Sequence, residues 1–147
     1  MENIDTKDCG KCPYRGKGCT ICDNMTLEIE QMQAFLEEAP PDDANLLVNR
    51  LTTINALMAR SGKMLADAKL LQDTLTEMVF ADEEVVEKLC RLSATLGMKL
   101  VQSSTARANH LVNSLDRQNR AFVHQSDNLR TQISFAKQDL SLQRKGY

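Results

Sequence analysis

Four cysteines near the start of the chain have the spacing of a metal site. Cys9, Cys12, Cys19 and Cys22 form two C-x2-C pairs joined by a six-residue spacer. Each pair sets two thiolates on one tight turn, and two such turns complete a tetrahedral zinc site. Gly10, Pro13, Gly16 and Gly18 supply the turns between them. Four protein ligands leave no open coordination position, so the zinc expected here is structural. Four thiolates also suit an iron–sulfur cluster, and oxidised or idle thiols are a third reading. Lys11, Arg15 and Lys17 on the same stretch read as solubilising charges. Cys90 stands alone on an apolar helical face and reads as a small core residue.

A second set of candidates lies on the last long helix. From Leu100 to Ala136 there is no Glu and no Lys. A helix face that meets only water usually carries both, because they are good helix formers and cheap to solvate. Here the polar positions are Arg, Asn, Gln, His, Ser, Thr and Asp, several of which are poorer helix formers. Something other than water is expected against them. Arg117, Arg120 and Arg130 offer fork-shaped donors for phosphate. His124, Asn128 and Thr131 offer bonds to base edges or sugar hydroxyls, and Asp127 a means to orient an arginine. The alternative is a solvated face or a seam between subunits. His110 and His124 are fourteen residues apart on one helix, which argues against a shared metal.

No Gly-rich phosphate loop, nucleophile elbow, HExxH or paired carboxylates with a base occur in the sequence. The expectation is a non-enzymatic binding protein. Residues 99–147 carry eight basic and three acidic side chains. That tilt allows a nucleotide or nucleic acid as partner but falls short of the dense basic clusters of duplex-binding domains.

Long helices must position these residues. The chain has 147 residues, one domain's worth. It has no proline after Pro41 and no tryptophan, so its core is aliphatic and its elements are helical. A short helix is expected over about Leu27–Glu38, capped by Asn24 or Thr26. Pro40-Pro41 ends it, and Asp42 and Asp43 open a second helix that runs to about Phe80. Its stripe is Leu47, Leu51, Ile54, Met58, Leu65, Ala68, Leu75 and Val79, interrupted by Ser61 and Gln72. Asp82 caps a third helix with Val85, Val86, Leu89, Leu92 and Leu96 inward, ended by Gly97 or Ser103-Ser104. On the last helix Leu111, Leu115, Phe122, Leu129, Ile133, Ala136 and Leu140 share one side. The fold class expected is therefore all-α, with long antiparallel helices in a coiled-coil-like bundle and a small N-terminal four-cysteine zinc knuckle. Residues 1–24 form the knuckle module and 25–147 the helical bundle domain. Rods of this length are expected to pair with copies of themselves, giving a homo-oligomer.

No apolar run is long enough to span a bilayer, and no apolar h-region follows Met1. A reducing cytoplasm is expected, with no membrane partner. The stretches Arg60–Lys69 (RSGKMLADAK) and Arg117–Thr131 (RQNRAFVHQSDNLRT) resemble segments of small helical accessory proteins of bacteriophages and mobile elements. The resemblance covers about a third of the chain and excludes the cysteine module. It implies a bacterial host cytoplasm and action by binding host proteins, nucleic acids or signalling nucleotides.

Overall fold

The computed structural model describes residues 20–146, and every regular element in that range is an α-helix. The order is α1 (Thr20–Glu37), α2 (Ala44–Ala81), α3 (Glu83–Cys90), α4 (Ala94–Ser104) and α5 (Ala106–Lys145).

Helix α1 begins upstream of the Leu27 start expected from its capping residues. The reason is its apolar stripe: Cys22 and Met25 continue the 3–4 spacing of Ile29, Met32 and Leu36 and are buried with them. Tertiary burial thus extends the helix past Asn24 and Thr26, and Thr26 turns its hydroxyl back to the Cys22 carbonyl. The Pro40-Pro41 break stands as expected. Asp43 then caps α2, its carboxylate accepting from Asn45 N at 2.9 Å and Leu46 N at 3.0 Å.

Helices α2 and α5 lie antiparallel. Gln72 meets Asn109, and Asn119 meets Ser61 and the Met58 carbonyl. Helix α1 packs on both. Against α2 it runs antiparallel, with Arg60 gripping Glu28 through two bonds and Arg50 reaching the Phe35 and Glu38 carbonyls. Against α5 it runs parallel, Asp23 pairing with Arg107 and the Ile29 and Leu36 carbonyls accepting from Gln118 and Gln125. The result is a three-helix bundle. Ile54, Met64, Leu71, Leu111, Leu115 and Phe122 fill its axis, each worth about 1.5–3 kcal/mol of burial. The α5 stripe from Leu111 to Ile133 is therefore covered within the chain: α1 supplies the third wall that a two-helix hairpin lacks.

Past the start of α1, α3 and α4 take over against the last turns of α2. Asp82 caps α3 through Glu84 N and Val85 N at 3.1 and 3.3 Å. The single third helix expected here is two. Ser93 accepts from Leu96 N at 3.4 Å and starts α4 afresh, because a serine that bonds backbone competes with helix continuation. Two expectations change with that break: Cys90 is exposed rather than a core residue, and Leu92 and Leu96 are exposed rather than inward. Of the two ends expected, Ser103-Ser104 closes α4 and Gly97 lies inside it. A Cβ at Gly97 would stand 3.4 Å from the Leu89 side chain, so α3 reaches α4 at this point.

Candidate functional site

The outer surface of α5 holds the residues singled out in the sequence. At about 100° per residue, Arg117, Arg120, His124, Asn128 and Thr131 share an arc of about 80°, and Arg130 falls outside it. All six are exposed, the Arg120 side chain to 74%. Arg120 pairs with Asp116 at 2.7 Å and Arg130 with Asp127 at 3.3 Å. The Thr131 hydroxyl donates to the Asp127 carbonyl at 3.1 Å. Arg117, His124 and Asn128 make no hydrogen bond or ion pair with other described residues. The face is one side of a single helix and so convex. The concavity it borders is a groove of about 780 Å³ between α1 and α5, where Arg117 lies with Glu30, Gln33 and Glu37.

The residues that meet a partner are their neighbours on the flanks of the stripe. Gln118 donates to the Ile29 carbonyl at 2.6 Å, and Gln125 to the Leu36 carbonyl at 2.7 Å. Donors and acceptors both repeat every seven residues, so α1 and α5 are held in one register. On the other flank Asn119 donates to Ser61 Oγ at 3.1 Å and to the Met58 carbonyl at 3.3 Å. Ser61 and Gln72 are therefore the contacts of α2 with α5 rather than flaws in its stripe. The signal was present: Gln118 and Gln125, and Asn119 and Ser126, recur at the heptad interval beside the apolar set. Two buried atoms, Gln118 Oε1 and Ser126 Oγ, have no hydrogen-bond partner among the described residues.

Of the four cysteines, Cys9, Cys12 and Cys19 lie outside the described residues. Cys22 sits in the first turns of α1, buried in the core. Among the described residues no group of three or more His, Cys, Asp or Glu is placed to hold a metal ion. His110 and His124 stand about 21 Å apart along α5 at 1.5 Å per residue and share no site.

Two apolar surfaces lie uncovered toward the ends of the bundle, besides Leu27, Leu70 and Val123, which are exposed along it. One is a cleft of about 390 Å³ lined by Phe80, Leu89, Leu92, Gly97, Met98 and Val101. The other is the last turns of α5, with Phe135, Leu140 and Leu142 exposed. No described helix is long and apolar enough to cross a membrane. In comparisons with known proteins, no family model, no curated protein and no solved structure matches this chain.

Proposed function

We propose that the chain is a non-enzymatic, self-associating helical protein that acts by protein contact, as an adaptor or structural element. The observation that supports this most is how α5 uses its uncommon polar residues. Its amides bond to carbonyls and side chains of α1 and α2. The arginines left outside alternate with carboxylates. A phosphate site instead gathers donors in a concavity and keeps carboxylates away. Exposed apolar side chains cluster at the α3–α4 end, where Phe80, Leu92 and Met98 line one cleft, and clustered exposed apolar surface marks protein contact.

The competing reading is a phosphorylated ligand, a nucleotide or nucleic acid, on the outer face. It has one specific support: Arg117, His124 and Asn128 share an arc and make no bond to other described residues. There Arg117, Arg120 and Arg130 would take phosphate, and His124, Asn128 and Thr131 base or sugar. The cysteine module keeps its proposed structural zinc on Cys9, Cys12, Cys19 and Cys22. Because Cys22 is buried on the α1 stripe, metal binding that uses it competes with the seating of the first turns of α1. The setting stays the one the resemblance implies, a bacterial cytoplasm and a host-protein partner for a mobile-element accessory protein.

Native mass spectrometry of protein purified from cells tests the readings together. Multiple copies without a nucleotide support protein contact. A monomer carrying a stoichiometric nucleotide replaces it with the phosphoryl reading. One zinc per chain supports the metal site, and iron in its place transfers it to a cluster.

A further inference from the structure

Helix α1 and the turn after it carry five carboxylates between Asp23 and Glu38. Three of them face cations: Asp23 pairs with Arg107, Glu28 with Arg60 at 2.6 Å and Glu38 with Arg50 at 3.4 Å. Glu30 and Glu37 pair with no described cation. Both line the groove of about 780 Å³ between α1 and α5. They stand seven residues apart, so they fall on one side of α1, about 10.5 Å apart along its axis.

A third unmet acceptor lies deeper in the same groove. Gln118 lines it and is 4% exposed. Its Nε2 donates to the Ile29 carbonyl at 2.6 Å and to Gln33 Oε1 at 3.4 Å. Those bonds fix which end of the carboxamide is nitrogen, because turning it over would set oxygen against oxygen. Oε1 is therefore an acceptor, and it is buried without a partner among the described residues. Such an oxygen is costly to leave without a donor. The Gln33 carboxamide that touches Gln118 also donates to Glu37 Oε1 at 2.8 Å. A chain of contacts thus leads from the buried oxygen to an outer carboxylate. Glu30, Glu37 and Gln118 Oε1 all call for N–H groups, and Arg117 on the same groove bonds to none of them.

We propose that this groove binds a linear polyamine, with terminal ammonium groups at Glu30 and Glu37 and a central amine at Gln118 Oε1. The exposed Gln33 side chain turns aside to admit it, and its bond to Glu37 is replaced by an ammonium. Between the charges the lining is Ile29, Ala34, Leu36 and Ala121, which suits the methylenes that separate the amines. One metal ion cannot serve both carboxylates, since its ligands must all lie within about 2.6 Å of it. A phosphate is opposed by the same two charges.

Isothermal titration calorimetry of the full chain with spermidine at low salt tests the site. The wild type should bind one equivalent, and more weakly as salt rises. Glu30→Gln/Glu37→Gln should weaken binding at least about tenfold. Helix content by circular dichroism should not change, because both positions are exposed. Arg117→Ala removes a cation from the groove and should tighten binding. The straight-chain diamine of equal length, with a methylene in place of the central amine, tests Gln118. The wild type should prefer spermidine at least about tenfold, and Gln118→Met should shrink that preference. A preference that came from charge alone would survive the change. No binding tighter than about 1 mM overturns the site. So does binding that the paired carboxylate change leaves untouched, which is general attraction of a cation to an acidic chain. Equal affinity of the wild type for the diamine overturns the three-point arrangement. None of these outcomes bears on self-association, which the mass of the protein reads separately.

Discussion

Asn119 fixes the pairing of α2 with α5 through a single amide. Its Nδ2 serves both Ser61 Oγ and the Met58 carbonyl, and Ser61 donates to that same carbonyl at 3.0 Å. Ser61 is fully buried, so its oxygen has no water to fall back on. Asn119→Ala should therefore cost about 1–3 kcal/mol, the usual penalty for a buried acceptor left without its donor. Urea unfolding with an unchanged slope checks it. Ser126 gives the opposite sign. Its hydroxyl is buried without a partner among the described residues, so Ser126→Ala removes an uncompensated desolvation cost and gains helix propensity. It should raise stability by up to about 1 kcal/mol. A loss on Ser126→Ala would mean that its hydroxyl is satisfied after all. Arg60 shows the charged version of such a contact: bonds to Glu28 hold its guanidinium above the usual range, against some desolvation. The raised value means that its share of stability is in place at neutral pH and is lost as pH rises through the guanidinium range. At this scale the sequence announced that α5 lies against something. It did not say which residues do so, because Arg117 and Gln118 are adjacent in the chain and about 100° apart on the helix. Only the placement of α1 decides which of them is buried.

Helix α1 is the element that changes how the long helices are understood. Without it, the apolar side of α5 is wider than α2 alone can cover, and pairing with copies follows from the stripe. With it, Leu129 becomes an interior residue of one chain, 3% exposed. Leu129→Asp buries an unpaired charge in the bundle itself, and should cost several kcal/mol, more than about 4 being exceptional for one change. The variant should lose helical circular dichroism at low concentration. If it merely changes mass and keeps its helix content, the stripe is a seam between chains after all. The span of α2 was legible in the sequence because local chemistry marks its ends: Pro41 and Asp43 before it and Asp82 after it, whereas Thr105 precedes α5 without a side-chain cap bond. The start of α1 was not legible, since Cys22 belongs at once to a metal-ligand spacing and to an apolar stripe, and the two patterns predict different local structures. Nor was the division of α3 from α4. Ser93 is an ordinary serine until its hydroxyl is seen to accept from Leu96 N. That one cap turns Leu92 and Leu96 outward and opens the cleft.

For the whole molecule, the arrangement separates three kinds of surface: amide-bonded seams inside, a charged outer face on α5, and apolar patches toward the ends. The proposed metal site tests how far these depend on the start of the chain. Cys12→Ser should abolish zinc binding, by elemental analysis, while the helices persist, because the core from Ile54 to Phe122 makes no use of the metal. A bundle that melts with the loss of zinc would place the metal among its determinants. The charged face gives the sharper test. Arg117→Ala/Arg120→Ala removes two outer-face cations, one unpaired and one facing Asp116 across an exposed ion pair. Exposed pairs of that kind are worth about 0–1 kcal/mol, and neither residue lines the α3–α4 cleft. On the protein-contact reading the double variant keeps the wild-type mass, and its stability moves by less than about 1 kcal/mol. A screen of nucleotides, cyclic dinucleotides and single strands then finds no affinity in either protein. On the phosphoryl reading the wild type binds one of these ligands, and the double change weakens it by about 2–5 kcal/mol. It also flattens the salt dependence, because each lost phosphate contact stops releasing a counterion. The slope of affinity against salt therefore decides between the readings, since removing two phosphate contacts lowers that slope and removing two solvated charges does not.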